Sequence, residues 1–429
     1  MVEKYSSPLG FDDILPEDIR GWQQLEQCAR DVFRKYCYTE IRTPIMESTD
    51  LFTRSIGETT DIVEKEMYTF AGDSEKPLTM RPEGTASVVR AYVQHQYQKR
   101  APFQKFYYIG PMFRKERPQR GRMRQFHQIG AETVGAADPL MDVESMALAM
   151  EIIREFGVPD ATLQINSIGC AQCRKEMRKG LLDYFTPRRA ELCGECEKRL
   201  ERNVFRVLDC KKEPCRNAAA GSPPITAFLC PDCGRHYSSV KEGLKSAGID
   251  FCENRYLARG FDYYTRTIFE ITGKNLGAQD ALGGGGRYNG LVGELGGKDA
   301  PCVGFALGME RILLSADADR LKPHTMDAFI VTVSPEQKPV SFSLLMKLRR
   351  QGIAADMDFE GRSFKAQMRM ANREGARFAV IIGEDEVRDS RASVKDLKKK
   401  AQETVDFDRL SQYLITSDST PSVTTDKTD

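Results

Sequence analysis

The chain has 429 residues and a mass of 48.4 kDa, which suggests three domains at about 150 residues each. Its 63 Lys and Arg residues balance 62 Asp and Glu residues, so the formal net charge of +1 does not predict nucleic-acid binding. No apolar run approaches the ~20 residues of a membrane span, and residues 1–6 lack the apolar core of a secretory signal. These features exclude the integral membrane and secreted classes, and we expect a protein of the reducing cytoplasm.

The N-terminal part begins with a helix and contains a long hairpin. After Pro16, apolar residues recur on one helical face as far as Tyr36, which predicts the first helix. The segments 103–110 and 125–134 are strand-like and flank a polar, arginine-rich stretch, so they predict an antiparallel hairpin. The other elements predicted here are a short β-rich segment at 38–44 and helices at 83–98 and 138–156.

The rest of the chain divides into an insertion, a return to the first pattern and a separate C-terminal unit. Eight of the twelve cysteines lie between Cys170 and Cys233 among many charged residues, which indicates an insertion. The elements predicted next are a strand at 261–272, a glycine-rich turn at 283–286 and a helix at 305–314. Strands and helices alternate from about Asp327, which predicts a small α/β domain, and the polar segment after Thr416 predicts a disordered tail.

The tip of the hairpin is strongly basic. Between Lys99 and Arg124 there are nine Lys or Arg residues and one acidic residue. Guanidinium groups bind phosphate oxygens bidentately, so this balance suits a polyphosphate or nucleic-acid backbone, although a solvated charged loop has the same composition. Arg114 ends one strand, while Gln128 and Glu132 lie an even number of residues apart on the other. We therefore expect these three side chains to converge on one face of the sheet.

Three downstream segments are also unusual. Residues 259–270 carry charges and tyrosines where a buried strand would have Val or Leu. Four glycines at 283–286 allow close approach by a ligand or another strand, but match neither a Walker A loop nor the dinucleotide fingerprint. Residues 304–311 place Arg311 on an otherwise apolar helix, where a salt bridge to a nearby acid is the structural alternative.

Together these segments resemble class II aminoacyl-tRNA synthetases. The segments similar to motifs 1, 2 and 3 of that class are, respectively, Thr43-Pro44, the arginine-rich hairpin with residues 125–132, and residues 304–311. Residues 259–270 and 283–288 resemble the two histidine-specific motifs of the histidyl-tRNA synthetase family, which residues 81–85 also match. With these motifs in the family's order, the chain is identified as a member of that family over nearly its whole length.

The resemblance implies an α+β fold. It has the antiparallel-sheet catalytic core of class II synthetases with an inserted domain, plus a C-terminal α/β anticodon-binding domain. The expected boundaries are 1–168 and 253–322 for the discontinuous core, 169–252 for the cysteine-rich insertion, 326–416 for the anticodon-binding domain and 417–429 for the tail.

The family's reaction implies where positive charge is needed. Histidine and ATP form histidyl-adenylate and pyrophosphate, and histidine is then transferred to the 3′ end of tRNA(His). The attacking carboxylate and the α-phosphate are both anionic, so the site must supply cations and positioning. The resemblance assigns this catalytic and ATP-binding role to Arg114, Arg259 and Arg311, with Mg²⁺ accompanying ATP.

The resemblance also implies a histidine pocket. The α-amino group needs a carboxylate, which Glu83 provides together with Thr85, and the imidazole needs partners at both ring nitrogens. Glu132 and Tyr264 are expected to be those partners. The full set of expected histidine-binding residues is Glu83, Gly84, Thr85, Gln128, Glu132, Tyr263 and Tyr264.

The expected partners are L-histidine, ATP, tRNA(His) and a second copy of the chain, with no membrane. The main alternative function is that of a non-catalytic paralogue, the regulatory subunit of ATP phosphoribosyltransferase. That subunit typically loses the catalytic arginines and the C-terminal domain, both of which this sequence retains. A plain nucleic-acid-binding protein is a third interpretation, but it leaves the glycine run and Arg311 unexplained.

The cysteines predict structural zinc. They are Cys170, Cys173, Cys193, Cys196, Cys210, Cys215, Cys230 and Cys233, and eight thiolates suit two tetrahedral Zn²⁺ ions. The 19 residues between Cys173 and Cys193 match the spacing of paired zinc-binding motifs, and His236 is an alternative ligand. Reduced, metal-free cysteines are the other interpretation. No expected adenylation residue lies between them, so we expect metal removal to spare adenylation.

Overall fold

The computed structural model describes residues 5–57, 60–71, 76–208, 210–258, 262–276, 280–317 and 326–416. The chain divides into two compact units, Met1–Leu321 and Lys322–Asp429. Within the described ranges, no helix is both long and apolar enough to cross a membrane.

The first unit contains eleven described strands and twelve described α-helices. The strands are β1 Thr39–Glu40, β2 Met46–Ser48, β3 Thr69–Phe70, β4 Leu78–Met80, β5 Gln104–Phe113, β6 Gln125–Val134, β7 Thr162–Ser167, β8 Cys252–Glu253, β9 Thr265–Thr272, β10 Ala281–Arg287 and β11 Cys302–Gly308. The helices are α1 Ile19–Lys35, α2 Thr49–Ile56, α3 Thr85–Gln94, α4 Tyr97–Arg100, α5 Leu140–Phe156, α6 Ala171–Phe185, α7 Gly194–Arg202, α8 Phe205–Leu208, α9 Glu213–Ala220, α10 Pro231–Ser246, α11 Leu291–Glu294 and α12 Met309–Ser315.

Eight of these strands form one sheet in the order β1-β5-β6-β11-β10-β9-β7-β8. Its six central strands are antiparallel, while β1 and β8 pair in parallel at the two edges. The predicted hairpin is confirmed as β5 and β6, which pair along their full length from Gln104↔Val134 to Phe113↔Gln125. The sheet therefore brings the hairpin beside β11 and β10, which are distant in sequence.

The structure corrects the prediction for the glycine run. Gly283–Gly286 form most of strand β10, not a turn. A Cβ on Gly283 would lie 2.4 Å from the Ala306 carbonyl oxygen, and one on Gly285 would lie 2.0 Å from that of Gly304. The neighbouring strand thus lies too close for larger residues. Because glycine has no side-chain pattern and a low strand propensity, the sequence resembles a turn.

The predicted helix at 305–314 is also partly wrong. Residues 302–308 are strand β11, and the helix begins only at Met309. A short apolar run does not distinguish a buried strand from a helix. The predicted helix at 83–98 is likewise divided, because Gln96 has a left-handed backbone with φ of 55° between α3 and α4.

The last helix of the insertion packs on the eight-stranded sheet. Val240 and Leu244 of α10 belong to the same buried cluster as Ile152 of α5 and Phe269 of β9. Gly243 permits this approach, because a Cβ there would lie 2.9 Å from a methyl group of Val143. The insertion is therefore anchored to the core through α10.

The second unit has a five-stranded sheet in the order β13-β12-β14-β15-β16. Its elements are β12 Met326–Thr332, α13 Lys338–Arg350, β13 Ala355–Met357, α14 Phe364–Arg373, β14 Ala376–Ile382, α15 Glu384–Arg388, β15 Arg391–Asp396, β16 Gln402–Asp406 and α16 Leu410–Thr416. The predicted alternation of strands and helices is confirmed up to β14. The antiparallel pair β15 and β16, which extends the parallel part of the sheet, was not predicted.

Candidate functional site

A cavity of about 530 Å³ opens over the central strands of the eight-stranded sheet. Seven of the residues predicted from sequence line it together: Glu83, Thr85, Arg114, Gln128, Tyr263, Tyr264 and Arg311. The glycine strand β10 forms part of its wall through Gly283 and Gly284. Segments that are up to 228 residues apart in sequence, from Glu83 to Arg311, thus converge on one space.

Glu83 lies at the start of helix α3. Its carboxylate accepts hydrogen bonds from the backbone N–H groups of Thr85 at 2.7 Å and Ala86 at 2.9 Å. Burial raises the pKa of Glu83, while these two hydrogen bonds oppose that shift. The helix start therefore holds an anionic oxygen acceptor at the cavity wall, where a cationic group would neutralise it.

Glu132 lies beneath the cavity and is fully buried. It accepts hydrogen bonds from Thr85 Oγ1 at 2.6 Å, Tyr108 Oη at 3.5 Å and the Tyr288 hydroxyl. Burial, with a smaller contribution from Glu83, raises the pKa of Glu132 to about 8. A Cβ on Gly304 would lie 1.9 Å from Glu132 Oε2, so this carboxyl group requires glycine opposite it.

Tyr108 is a site residue that the sequence analysis missed. Its ring lies between Gly84 and Gly130, where an added Cβ would approach ring atoms to 2.3 Å and 2.2 Å. This contact explains why Gly84 belongs with the predicted pocket although its own atoms do not line the cavity. The sequence did contain a signal for it. Tyr108 and Arg114 lie six residues apart along one hairpin arm, and an even spacing in a strand places both side chains on the same face of the sheet.

Arg114 and Arg311, the two predicted arginines that the structure describes, are held by backbone carbonyls. Arg114 Nε donates to the Pro82 oxygen at 2.9 Å, and its guanidinium lies 5.0 Å from the centre of the Phe126 ring. Arg311 Nε donates to the Ala281 oxygen on β10. Burial lowers the pKa of Arg311, and the neighbouring Arg122 adds to that effect. Both cations are thus fixed before any anion binds, as electrostatic preorganisation requires.

A tyrosine loop, defined here as residues 262–264 together with Thr265 and Arg266 at the start of strand β9, lines another part of the cavity. The rings of Tyr263 and Tyr264 are 4.7 Å apart, and Tyr263 packs edge-on against Tyr288 at 5.6 Å. Tyr288 is a second site residue that the sequence-based set omitted, although it ends the segment 283–288. Arg259, which was predicted to be catalytic, lies outside the described residues.

The insertion also reaches the cavity. Arg206 and Lys211 are among the lining residues, and Arg206 forms an ion pair with Asp61. These basic side chains were not singled out by the sequence analysis, because they lie in a segment rich in charge of both signs. Their position places positive charge from the insertion at the rim of the cavity.

The eight clustered cysteines form two groups of four. Cys170, Cys173, Cys230 and Cys233 form the outer cluster, and Cys193, Cys196, Cys210 and Cys215 form the inner cluster. Within each cluster the sulfur atoms all lie within 4.8 Å of one another. All twelve cysteines lie in the described ranges, and none forms a disulfide.

This arrangement overturns two expectations from spacing. The first Cys-x-x-Cys pair joins the third, not the second, so the 19-residue gap does not define a site. His236 is not a ligand candidate, because its ring contacts Arg266 at 3.1 Å and Asp142 at 3.4 Å instead. Linear spacing cannot distinguish a nested pairing from a sequential one.

The chain is similar to proteins of one family along nearly its whole length. Residues 10–173 and 232–312 match the family model described as histidyl-tRNA synthetase, and residues 327–417 match the anticodon binding domain model. The histidine--tRNA ligase of Moorella thermoacetica is 49% identical over 411 residues, covering 95% of this chain and 97% of that protein. The histidine--tRNA ligase of Desulforamulus reducens is 48% identical, with 95% and 98% covered. The crystal structure of apo Staphylococcus aureus histidyl-tRNA synthetase is 39% identical, with a TM-score of 0.80 over 96% of this chain and 100% of that one.

Proposed function

Because the chain belongs to the histidyl-tRNA synthetase family, we propose that its cavity is the site of histidine activation. The enzyme is a histidine--tRNA ligase, which joins histidine to tRNA(His) through histidyl-adenylate. The observation that carries the site assignment is the convergence of Glu83, Arg114 and Arg311 on one cavity. This placement of one anion and two cations suits an amino acid and a nucleoside triphosphate, and gives no support to a role as regulatory subunit alone.

The arginines would serve the anionic partners of the first step. The histidine carboxylate attacks the α-phosphorus, a bond to the bridging oxygen breaks, and pyrophosphate leaves. Arg114 is proposed to hold the α-phosphate and Arg311 the distal phosphates or the adenine face. Arg259 is proposed to supply a further cation at the α-phosphate. Each would stabilise charge that is spread over phosphate oxygens in the transition state.

Mg²⁺ is proposed to accompany the phosphates of ATP. It prefers oxygen ligands, and the carboxylates of Glu270 and Glu310 line the same cavity. These two side chains therefore fit the needs of a hard cation. The ion would neutralise charge on the departing pyrophosphate.

The histidine substrate is proposed to lie between Glu83 and the tyrosine loop. The Glu83 carboxylate with Thr85 would bind the α-amino group. Glu132 and Tyr264 would satisfy the two imidazole nitrogens, with Gln128 and Tyr263 alongside. Since Glu132 is already bonded to Thr85 and Tyr288, it would bind the ring as part of a network whose orientation is preset. A site that pairs a polar ring in this way discriminates strongly against apolar analogues.

The remaining parts are assigned by family membership. We propose a catalytic core at 1–168 and 253–322, an insertion at 169–252 that contacts the acceptor arm of tRNA(His), and an anticodon-binding domain at 326–416. A homodimer that acts in the cytoplasm is proposed. Ile45 and Met46, directly after Pro44 of the motif 1 segment, are 44% and 43% exposed and would be covered in that dimer.

Both cysteine clusters are proposed to bind structural Zn²⁺. Four cysteine sulfurs in a compact group are the usual ligand set of a closed tetrahedral zinc site. In three cases, Cys170, Cys193 and Cys230, the first cysteine of the pair immediately precedes a helix, where backbone N–H groups favour the thiolate. Metal binding would supply folding energy to the insertion.

Histidine-dependent exchange of pyrophosphate into ATP tests the assigned activity. The purified protein should catalyse exchange with histidine and not with other amino acids, and should then charge tRNA(His). An Arg114→Ala variant should lose exchange while keeping its fold by circular dichroism, whereas Arg188→Ala, which changes an arginine away from the cavity, should not. Exchange that does not depend on histidine would contradict the proposed site.

A further inference from the structure

We infer that the outer cysteine cluster is a metal site that braces the tyrosine loop, so that bound metal sets the affinity for histidine. This inference rests on the proposed function, because it assigns the tyrosine loop to the histidine pocket. It also changes the expectation from sequence that metal removal would leave adenylation untouched.

The sulfur geometry of the outer cluster fits a tetrahedral ion. Zinc–thiolate bonds of about 2.3 Å place the sulfurs at tetrahedral corners roughly 3.8 Å apart. Cys170 Sγ and Cys173 Sγ are 3.6 Å apart, and all four sulfurs lie within 4.8 Å of one another. Cys173 and Cys233 are also buried, which favours metal retention. The cluster is therefore close to the geometry of a bound Zn²⁺ ion.

The outer cluster joins the starts of two helices. Cys170 precedes α6 and Cys173 lies in its first turn, while Cys230 and Cys233 occupy the same positions at α10. A shared metal ion would hold these two helix starts at a fixed separation. Without it, the pair depends on weaker contacts, such as the Cys230 N–H donating to Cys173 Sγ at 3.1 Å.

Helix α6 contacts the tyrosine loop directly. Arg174, the residue after Cys173, donates through Nη1 to the carbonyl oxygens of Asp262 at 3.0 Å and Tyr264 at 3.3 Å. These carbonyls lie on either side of Tyr263. One guanidinium next to a metal ligand thus holds the backbone that presents both pocket tyrosines.

Arg266, at the other end of the tyrosine loop, is held by residues close to both cysteine pairs of the outer cluster. The Arg266 backbone N–H donates to the carbonyl oxygen of Gly169, the residue directly before Cys170, at 2.7 Å. The Arg266 side chain contacts His236 of α10 at 3.1 Å, one turn beyond Cys233.

Arg266 has a left-handed backbone with φ of 55°, a conformation that a non-glycine residue keeps only with support from its surroundings. Both helices of the cluster therefore contact the tyrosine loop, one through Arg174 and one through His236. Movement of one helix start relative to the other would shift the loop against the pocket.

The experiment compares metal content with histidine affinity. Four samples are compared: zinc-loaded protein, chelated protein, Cys233→Ser and Arg174→Gln. Elemental analysis measures their metal content, equilibrium dialysis measures their affinity for histidine, and pyrophosphate exchange measures their activity. Cys37→Ser, which changes an exposed cysteine outside both clusters, is the matched control. Replacement of Zn²⁺ by Co²⁺ gives an independent readout, because cobalt–thiolate absorption reports four-sulfur coordination at the site.

We expect chelation and Cys233→Ser to weaken histidine binding by about tenfold, the scale of losing a pair of charge-assisted hydrogen bonds. The KM for ATP should change by less than about twofold, since no ATP group is assigned to the loop. Arg174→Gln should show the same loss while keeping its metal. Unchanged histidine affinity in the metal-free protein, or in Arg174→Gln, would overturn the inference. The inference would also be overturned if elemental analysis showed that the four-sulfur sites bind no metal. Absence of exchange in the zinc-loaded wild type would instead refute the proposed function.

Discussion

Arg287 and Asp142 form an ion pair that is completely shielded from solvent, with side-chain exposures of 0% and 1%. Arg287 Nε donates to both carboxylate oxygens, at 3.2 Å and 3.0 Å, and its other nitrogens donate to the carbonyls of Ala136 and Asp138. Burial alone would raise the pKa of Asp142, but hydrogen bonds from His236 and Arg287 hold it below its usual value. The pair ties the end of the glycine strand to helix α5.

Removal of Arg287 should therefore destabilise the fold. Arg287→Leu leaves the buried Asp142 carboxylate with His236 as its remaining side-chain partner, and breaking a buried ion pair in this way costs about 3–5 kcal/mol. The change in the free energy of unfolding is measured by urea denaturation. The control is Arg235→Leu, because Arg235 and its partner Asp232 are 73% and 72% exposed and such a pair contributes about 0–1 kcal/mol. Similar losses for both variants would show that the buried pair has no special role.

Replacement of Glu132 should affect histidine and not ATP. Glu132→Gln keeps the shape of the side chain but removes the carboxylate proposed to pair with the imidazole. The KM for histidine should rise about tenfold or more, while the KM for ATP stays within about twofold. Glu253→Gln, which changes a half-exposed carboxylate, is the control. A fall in ATP affinity would instead indicate that Glu132 belongs to the nucleotide site.

The same variant should change the pH dependence of stability. Because the folded pKa of Glu132 is about 8 against a usual 4.5, the folded state binds its proton more tightly than the unfolded state. The resulting stability is fully present below the usual pKa and is lost as pH rises towards 8. Melting temperatures measured from pH 5 to 8 should fall more steeply for the wild type than for Glu132→Gln. Parallel curves would mean that Glu132 is ionised throughout this range.

Arg259 is predicted to be catalytic. Arg259→Ala should leave a folded protein. It should raise the activation free energy of pyrophosphate exchange by about 3 kcal/mol or more, which lowers the rate over 100-fold, as expected for loss of a charge-stabilising donor. Arg255→Ala is the comparison, because Arg255 donates to the Ser222 carbonyl and does not line the cavity. Near wild-type exchange by Arg259→Ala would remove the assignment.

Glycine at position 304 should be required for the pocket. In Gly304→Ala the new methyl group would lie 1.9 Å from Glu132 Oε2 and 2.5 Å from the Ala131 carbonyl oxygen, so the carboxyl group must move. We expect a loss of about 1–3 kcal/mol in stability and a raised KM for histidine.

Gly234→Ala is the opposite case. Nothing lies within 4 Å of an added Cβ there, and the position is inside helix α10. It should be neutral or stabilising by up to about 1 kcal/mol. Equal effects of the two substitutions on histidine binding would argue against close packing at Glu132.

The proposed homodimer has a direct test. Sedimentation at low micromolar concentration should give about twice the chain mass of 48.4 kDa. Replacing the exposed Ile45 and Met46 with aspartate should shift the protein to a monomer and lower its activity, whereas Phe342→Asp in the second unit should not. A wild-type monomer with full exchange activity would contradict the dimer.

Sequence patterns predicted the parts of the molecule that follow local rules. The β5–β6 hairpin was predicted because two strand-like segments flank an arginine-rich stretch. The glycine strand and β11 were missed, because their burial depends on neighbours that are remote in the chain. Tyr108 was missed for the same reason, since its place between Gly84 and Gly130 is a property of the folded sheet.

The insertion leaves the sheet after β7 and returns as β8, and these two strands are neighbours that pair in parallel through Gln164↔Cys252. The chain therefore departs from and rejoins the core at adjacent positions. A segment attached in this way can lengthen, shorten or be replaced during evolution without changing the register of the strands beneath it. Among descendants of a common ancestor, this is where we expect the greatest divergence in length, and with it divergence in which metal, if any, the protein carries.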